Sequence, residues 1–285
     1  MPIELKNVSH NYLPGTAQAV PSLHGLSLRI EDGEFVGVMG RTGCGKSTMI
    51  QLLAGLLSPT EGSVWLDGAD VGAKSYDRSV LRRSVGLVFQ YPEYQLFETT
   101  VEKDVAFGLK HSGLSRAEIA ERVRWALDAM DFDFQAVRAQ PPLSLSGGEK
   151  RRVAIAGVLA SRPKILIFDE PIAGLDPLGR ESFLKLVTRL NREGTTILMV
   201  SHNADAIGEY AKRLVVLDGG RLVADGRPAA VFADVESMKK LRLGVSVSCE
   251  IAGALRQRGL HIADGVVSYA GLLSSLKAAL GSDSA

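Results

Sequence analysis

Eight residues constrain this chain more than any others. Gly40-Arg41-Thr42-Gly43-Cys44-Gly45-Lys46-Ser47 fits the pattern G-x-x-x-x-G-K-S/T, between an apolar run EFVGVM at 34–39 and a helical pattern over Thr48–Leu57. Glycines let a backbone wrap closely around phosphates with its N–H groups turned inward. The helix that follows adds the positive end of its dipole. Lys46 brings a cation to the outer phosphates, and the Ser47 hydroxyl is a ligand for Mg²⁺. Residues 40–47, with Thr48 opening the helix, are therefore the expected nucleotide cradle. Cys44 reads as a small inert residue in a serine-sized slot, although a helix N-terminus would also stabilise a thiolate there. The motif specifies a nucleotide without specifying which family holds it. No Asn-Lys-x-Asp sequence follows, which counts against guanine recognition.

A strand feeding a phosphate loop and a helix implies an α/β fold, and the rest of the chain repeats that pattern. VGLVF at 85–89, ILIFD at 165–169 and TILMV at 196–200 are apolar runs short enough for buried parallel strands, with helical stretches between them. IELKNV at 3–8 and LSLRI at 26–30 read as strands flanking a loop around Pro14 and Gly15. Over 100–145 the pattern turns helical: Ser115 and Glu118 form a capping-box pair, and Ile119, Val123, Leu127 and Met130 share one face. β signals fade from about 228. Helices are expected near 248–258 and 271–280, with disorder in the final GSDSA.

Composition excludes several classes. Lys and Arg number 33 against 32 Asp and Glu, so a basic nucleic-acid surface is not expected. The two cysteines, Cys44 and Cys249, have no metal-ligand spacing, and one lies in the phosphate loop, so a reducing compartment fits. No run approaches the roughly 20 apolar residues of a membrane span, and MPIELKNVSHNY lacks the apolar core of an export signal. Any membrane function requires a second chain.

The other half of the site follows from two further motifs. ILIFD ends in Asp169 and Glu170: the first is placed to hold Mg²⁺, the second to act as general base on an attacking water. Leu145-Ser146-Gly147-Gly148-Glu149 opens a helix 23 residues before Asp169. This segment resembles the signature motif of the ABC superfamily. The resemblance covers residues 3 to about 230 and extends to Gln90 as the loop glutamine near Mg²⁺ and water. It also matches Asp176 to the loop that communicates across a dimer, His202 to the switch histidine and Tyr12 to the aromatic that stacks on adenine.

It implies a P-loop NTPase cassette with an N-terminal antiparallel β-subdomain, a helical insertion and a small C-terminal helical appendage. It also implies ATP and Mg²⁺ as ligands and two nucleotides sandwiched head to tail between two cassettes. The signature residues of one copy then face the nucleotide of the other. The expected division is a cassette over 1–228, with its helical subdomain at about 100–160, and an appendage over 229–285 that serves as a dimer contact. Where the family pattern has Gln, this chain has Glu149, which is expected to face the surface. If it pointed inward, its charge would weaken closure on a phosphate.

A narrower resemblance lies in VFQYPEYQLFETTVEKDVAFG at 88–108, in RRVAIAGVLA at 151–160 and in the Pro14-Gly15-Thr16 insertion. These are similar to the ATPases of energy-coupling-factor (ECF) importers. That resemblance implies ATP-driven import of a vitamin or transition-metal ion from the cytoplasmic face of the cell membrane. The implied partners are a second ATPase subunit, identical or paralogous, a transmembrane scaffold and a membrane substrate-binding subunit. Glu93, Glu98, Glu102 and Asp104, beside Leu96 and Phe97, are candidates for contact with arginines of the scaffold. A regulatory or mechanical ABC ATPase with a non-transport partner is the alternative.

Overall fold

The computed structural model describes residues 1–282. β1 (Ile3–Tyr12) and β2 (Val20–Ile30) are longer than the sequence pattern predicts and pair antiparallel, with register shifts around Val8 and His10. β3 (Phe35–Gly40) runs into the glycine loop and α1 (Lys46–Leu53). α1 stops four residues short of the expected Leu57. Gly55 adopts a left-handed φ of 70° behind it, and a Cβ there would collide with Leu81. β4 (Glu61–Leu66) and β5 (Ala69–Asp70), both unforeseen, complete a four-stranded antiparallel sheet in the order β2-β1-β4-β5.

α2 (Arg78–Ser84) leads into β6 (Val85–Val88), and a 3₁₀ turn over Pro92–Gln95 opens the helical insertion. The insertion comprises α3 (Val101–Ala106), α4 (Arg116–Ala129), α5 (Phe134–Val137) and α6 (Gly147–Leu159). The Ser115 capping box forms as expected, with the Ser115 N–H donating to Glu118 Oε2 at 2.8 Å. Then come β7 (Ile165–Asp169), α7 (Pro177–Arg192), β8 (Thr196–Val200), α8 (Ala204–Tyr210), β9 (Arg213–Asp218) and β10 (Arg221–Gly226). The second sheet has the order β10-β9-β3-β8-β7-β6, parallel except for the β9–β10 hairpin. Gly219 and Gly220, both at positive φ, make the two-residue turn of that hairpin.

Side chains alternate across this parallel sheet, and both of its faces are buried. Phe35, Met39, Leu166, Phe168, Ile197 and Met199 pack toward the helical insertion and α7. Val36, Val38, Ile165, Ile167, Leu198 and Val200 pack toward α1 and the antiparallel sheet. This two-sided burial is why these strands read as unbroken apolar runs.

The C-terminal segment holds α9 (Pro228–Ala233), α10 (Val235–Lys240), α11 (Val247–Gln257) and α12 (Tyr269–Ser282). Phe232, Met238, Leu243 and Val245 join the core of the cassette, while Ala252, Ile262, Val266 and Leu272 form a small core of their own. Of the GSDSA end, Gly281 and Ser282 belong to α12, and 283–285 lie outside the described residues.

Candidate nucleotide site

Parallel strands that share a direction bring their C-terminal ends to one edge, where α/β sheets bind ligands. Here that edge carries the glycine loop after β3, Gln90 after β6, Asp169 and Glu170 at the end of β7, and His202 after β8. All of them line one cleft of about 690 Å³, together with Tyr12, Ser22, Thr42, Gly43, Gly45, Ser47 and Thr48.

The glycines are structural requirements. A Cβ on Gly40 would collide with the Leu217 carbonyl, and Gly45 has a φ of 102°. The loop is also held from outside: the Gly220 N–H donates to the Cys44 carbonyl at 3.1 Å, and the His24 N–H donates to the Gly220 carbonyl at 3.0 Å. Lys46 is buried, and its Nζ donates to the Gly40 carbonyl at 2.6 Å and the Arg41 carbonyl at 3.0 Å. Cys44 is buried too, and burial pushes its thiol above the ordinary range. It is a packing residue, as the sequence reading favours. The Tyr12 and Ser22 hydroxyls both meet Thr48 Oγ1, at 2.9 and 2.7 Å, which ties the exposed tyrosine ring to α1 at the mouth of the cleft.

The acids lie opposite. Ser47 Oγ is 3.5 Å from Asp169 Oδ2. Burial pushes the Asp169 carboxyl up, while the Lys46 charge and the Ser47 hydroxyl pull it back. Burial likewise raises the Glu170 carboxyl, opposed by the His202 N–H, which donates to Glu170 Oε2 at 3.3 Å. His202 Nε2 is 3.4 Å from Glu170 Oε1, a buried oxygen without a hydrogen-bond partner among the described residues. Burial and the charge of Lys46 lower the His202 pKa, favouring its neutral form. Glu170 holds a left-handed φ of 49°, a conformation that costs a non-glycine residue about 1–2 kcal/mol.

The donor set suits Mg²⁺, which takes one or two carboxylates plus phosphate oxygens and water. The Ser47 hydroxyl, the Asp169 carboxylate and the Gln90 amide are hard oxygen donors in one cleft, and the unpartnered Glu170 oxygen lies beside them.

The signature residues are elsewhere. Ser146, Gly148 and Glu149 line a separate cavity of about 380 Å³ with Arg151, Arg152, Asp176 and Gly179. Gly147 opens α6, and Leu145 is buried beneath it. Asp176 caps α7, accepting the Gly179 N–H at 2.7 Å. Glu149 is at the surface, as expected, but its side chain is folded back onto the start of its own helix. Its Oε2 accepts the Ser146 N–H at 2.9 Å and the Ser146 hydroxyl at 2.7 Å, forming a second capping box. The helix leaves its first N–H groups free; the Ser146 hydroxyl oxygen accepts that of Glu149 at 3.4 Å, and the carboxylate turns back to accept that of Ser146.

The four acids near the Gln90 loop are less available than their sequence implies. Glu98 pairs with Lys110 at 2.9 Å and Glu102 with Arg138 at 3.0 Å, while Asp104 accepts the Phe97 and Glu98 N–H groups. Glu93 Oε2 is buried, without a hydrogen-bond partner among the described residues. Leu96 is in the core, so the exposed apolar surface here is made by Tyr91, Tyr94, Phe97, Phe107 and Leu143.

Sequence reasoning passed over Arg151. It is 6% exposed, and its guanidinium donates to the carbonyls of Ala173 at 2.9 Å, Pro171 at 2.6 Å and Glu170 at 3.3 Å. Nothing in the sequence sets it apart, since it stands between Lys150 and Arg152 in a charged run at the start of α6.

The comparisons agree with this geometry. The ABC transporter family profile matches residues 23–173. The energy-coupling factor transporter ATP-binding protein EcfA2 of Clostridium perfringens is 46% identical over 265 residues, 93% of each chain. That of Symbiobacterium thermophilum is 46% identical over 280 residues, 98% of this chain and 97% of its own. Among solved structures, cbiO1 from Clostridium perfringens, part of the ABC transporter complex cbiONQ, is 37% identical with a TM-score of 0.72, over 84% of this chain and 93% of that one. The cassette MJ0796, seen as a dimer in a post-hydrolysis state with ADP and Pi, is 31% identical with a TM-score of 0.69, over 79% and 98%. With the phosphate loop, the paired acids and the signature helix each in place, the chain belongs to the ABC transporter ATPases, among the energy-coupling-factor ATP-binding proteins.

Proposed function

We propose that this chain binds Mg-ATP between two cassettes and hydrolyses it to drive an ECF-type importer of a vitamin or transition-metal ion, working at the cytoplasmic face of the membrane. The observation that carries the reading is the division of the machinery. Lys46, Asp169, Glu170 and His202 share one cleft while Ser146 lines another, so no single chain can enclose a nucleotide with both sets. A head-to-tail pair brings them together. Tyr12 stacks on the adenine, and Lys46 exchanges its two loop carbonyls for phosphate oxygens. Ser47, Asp169 and Gln90 would hold the metal, which when bound would neutralise charge gathering on the phosphates. Glu170 takes the proton of the attacking water, and neutral His202 contacts the terminal phosphate. Ser146 of the second cassette closes the site from the other side.

The exposed aromatic surface around Gln90 is the docking face for helices of a membrane scaffold. Among the described residues no helix is long and apolar enough to cross a membrane, so the membrane part belongs to partner chains. The C-terminal helices supply a further contact between the paired ATPases. A general base contributes about 10²–10⁴-fold to rate. Glu170→Gln is therefore expected to lose at least that factor in turnover while binding ATP and remaining as a closed dimer. Normal turnover would remove Glu170 from the role.

A further inference from the structure

Among the described residues, Arg151 is a buried cation without an ion pair. A guanidinium offers five donors in a rigid fork, and a buried charge needs them satisfied. Here Nη1 and Nη2 meet the carbonyls of Glu170, Pro171 and Ala173, all from the turn that follows β7, while Nε is buried without a partner among the described residues. That turn has few supports of its own. Pro171 has no N–H to give, and within the turn the Ala173 N–H reaches the Glu170 carbonyl at 3.3 Å. Glu170, at the head of the turn, keeps its left-handed backbone between two anchors. Its N–H donates to the Val200 carbonyl at 3.0 Å, and its C=O accepts from Arg151. Burial lowers the guanidinium's pKa from its ordinary value, and the charge of Glu93 in the Gln90 loop partly offsets this.

We propose that Arg151 is a positioning residue. It grips the turn after β7 through three carbonyls, fixes the backbone from which the Glu170 carboxylate is aimed, and fastens that turn to the signature helix α6. Ser146, five residues earlier, is the N-cap of the same helix. The inference rests on the reading of Glu170 as general base. Lysine cannot replace the arginine, because a single ammonium on a flexible stem does not match a fixed fan of three carbonyls. Arg151 is not among the residues lining the phosphate-loop cleft, so its loss should act on the chemical step and not on ATP capture.

The test uses the full chain purified with its native partners and compares Arg151→Lys, Arg151→Gln and Glu170→Gln with the parent. An ångström of misplacement at a reacting group costs up to about 10²-fold. The expected result is a kcat lowered by about that factor in Arg151→Lys, with the KM for ATP within about twofold of the parent. Added to Glu170→Gln, the lysine should lower turnover no further, because no aimed carboxylate remains to be misplaced. Arg151→Gln, which keeps a planar two-donor group, should recover part of the loss, and it serves as the test variant if the lysine chain does not fold. Parental kcat in a folded Arg151 variant overturns the proposal. So does an equal loss of turnover in the Glu170→Gln background, or a KM that rises in step with the fall in kcat. Normal turnover by Glu170→Gln alone would instead overturn the general-base reading, a result distinct from any of these.

Discussion

Glu149 permits a calculation. Its Oε2 holds both hydrogens that Ser146 can offer, the N–H and the hydroxyl. If the Ser146 hydroxyl hydrogen turns from Glu149 to the terminal phosphate of the facing cassette's nucleotide, two hydrogen-bond lengths put a phosphate oxygen about 5 Å from this carboxylate. The group is on the surface, so the dielectric of water applies, and like unit charges at that separation repel by about 0.8 kcal/mol. A terminal phosphate carries about two charges. Screening with Debye lengths of about 30 Å at 0.01 M salt and 8 Å at 0.15 M leaves about 1.4 and 0.9 kcal/mol per site. Glu149→Gln keeps an acceptor for the helix cap and removes the charge. In a Glu170→Gln background, which blocks hydrolysis, ATP-driven dimerisation can be followed by sedimentation across a salt series. The ATP concentration at half-dimerisation should fall about tenfold at 0.01 M salt and about fourfold at 0.15 M. No change, weaker dimerisation, or an effect insensitive to salt would refute the reasoning.

Three other expectations follow from the same geometry. The His202 imidazole, partly buried near Lys46, should titrate below its ordinary value of 6.5 by NMR. The unfolded chain then binds that proton first, so the site's contribution to stability is complete above pH 6.5 and is lost as pH falls through the depressed value. Phe168, 1% exposed and edge-on to Phe183 at 5.2 Å, should cost about 3–5 kcal/mol as Phe168→Ala, read from a denaturant midpoint. Cys44 should react with a thiol reagent far more slowly in the native chain than in urea, because burial both covers it and disfavours its thiolate.

Those parts of the molecule that depend on backbone chemistry were legible in the sequence. The phosphate loop needs glycines where a Cβ collides, and β3, β7 and β8 are buried on two faces, so both announce themselves as residue types. β4, β5, β9 and β10 were passed over: β4 pairs with β1 far back along the chain and β5 is two residues long, whereas β9 and β10, joined at Gly219 and Gly220, carried a hairpin signal that went unread. α1 was drawn too long because its apolar spacing runs through Gly55, and only Leu81, across the fold, shows why it must stop. Glu149 could have been found, since it stands three residues after an N-cap serine; the motif reading hid the capping-box reading. Arg151 could not, because its partners are main-chain carbonyls some twenty residues away that share no residue-type signature.

The place of β3 in the sheet also bears on biosynthesis. Val36 pairs with Leu198 on one side and with Arg213 on the other, and the Cys44 carbonyl is held by Gly220. A chain leaving the ribosome therefore exposes its phosphate loop early, with neither neighbouring strand yet made. Domains acquire their structure as their contacts emerge, and long-range parallel pairing is slow. The nucleotide cradle becomes complete only when the β9–β10 turn has been synthesised, so ATP cannot stabilise the nascent cassette until more than three quarters of the chain exists.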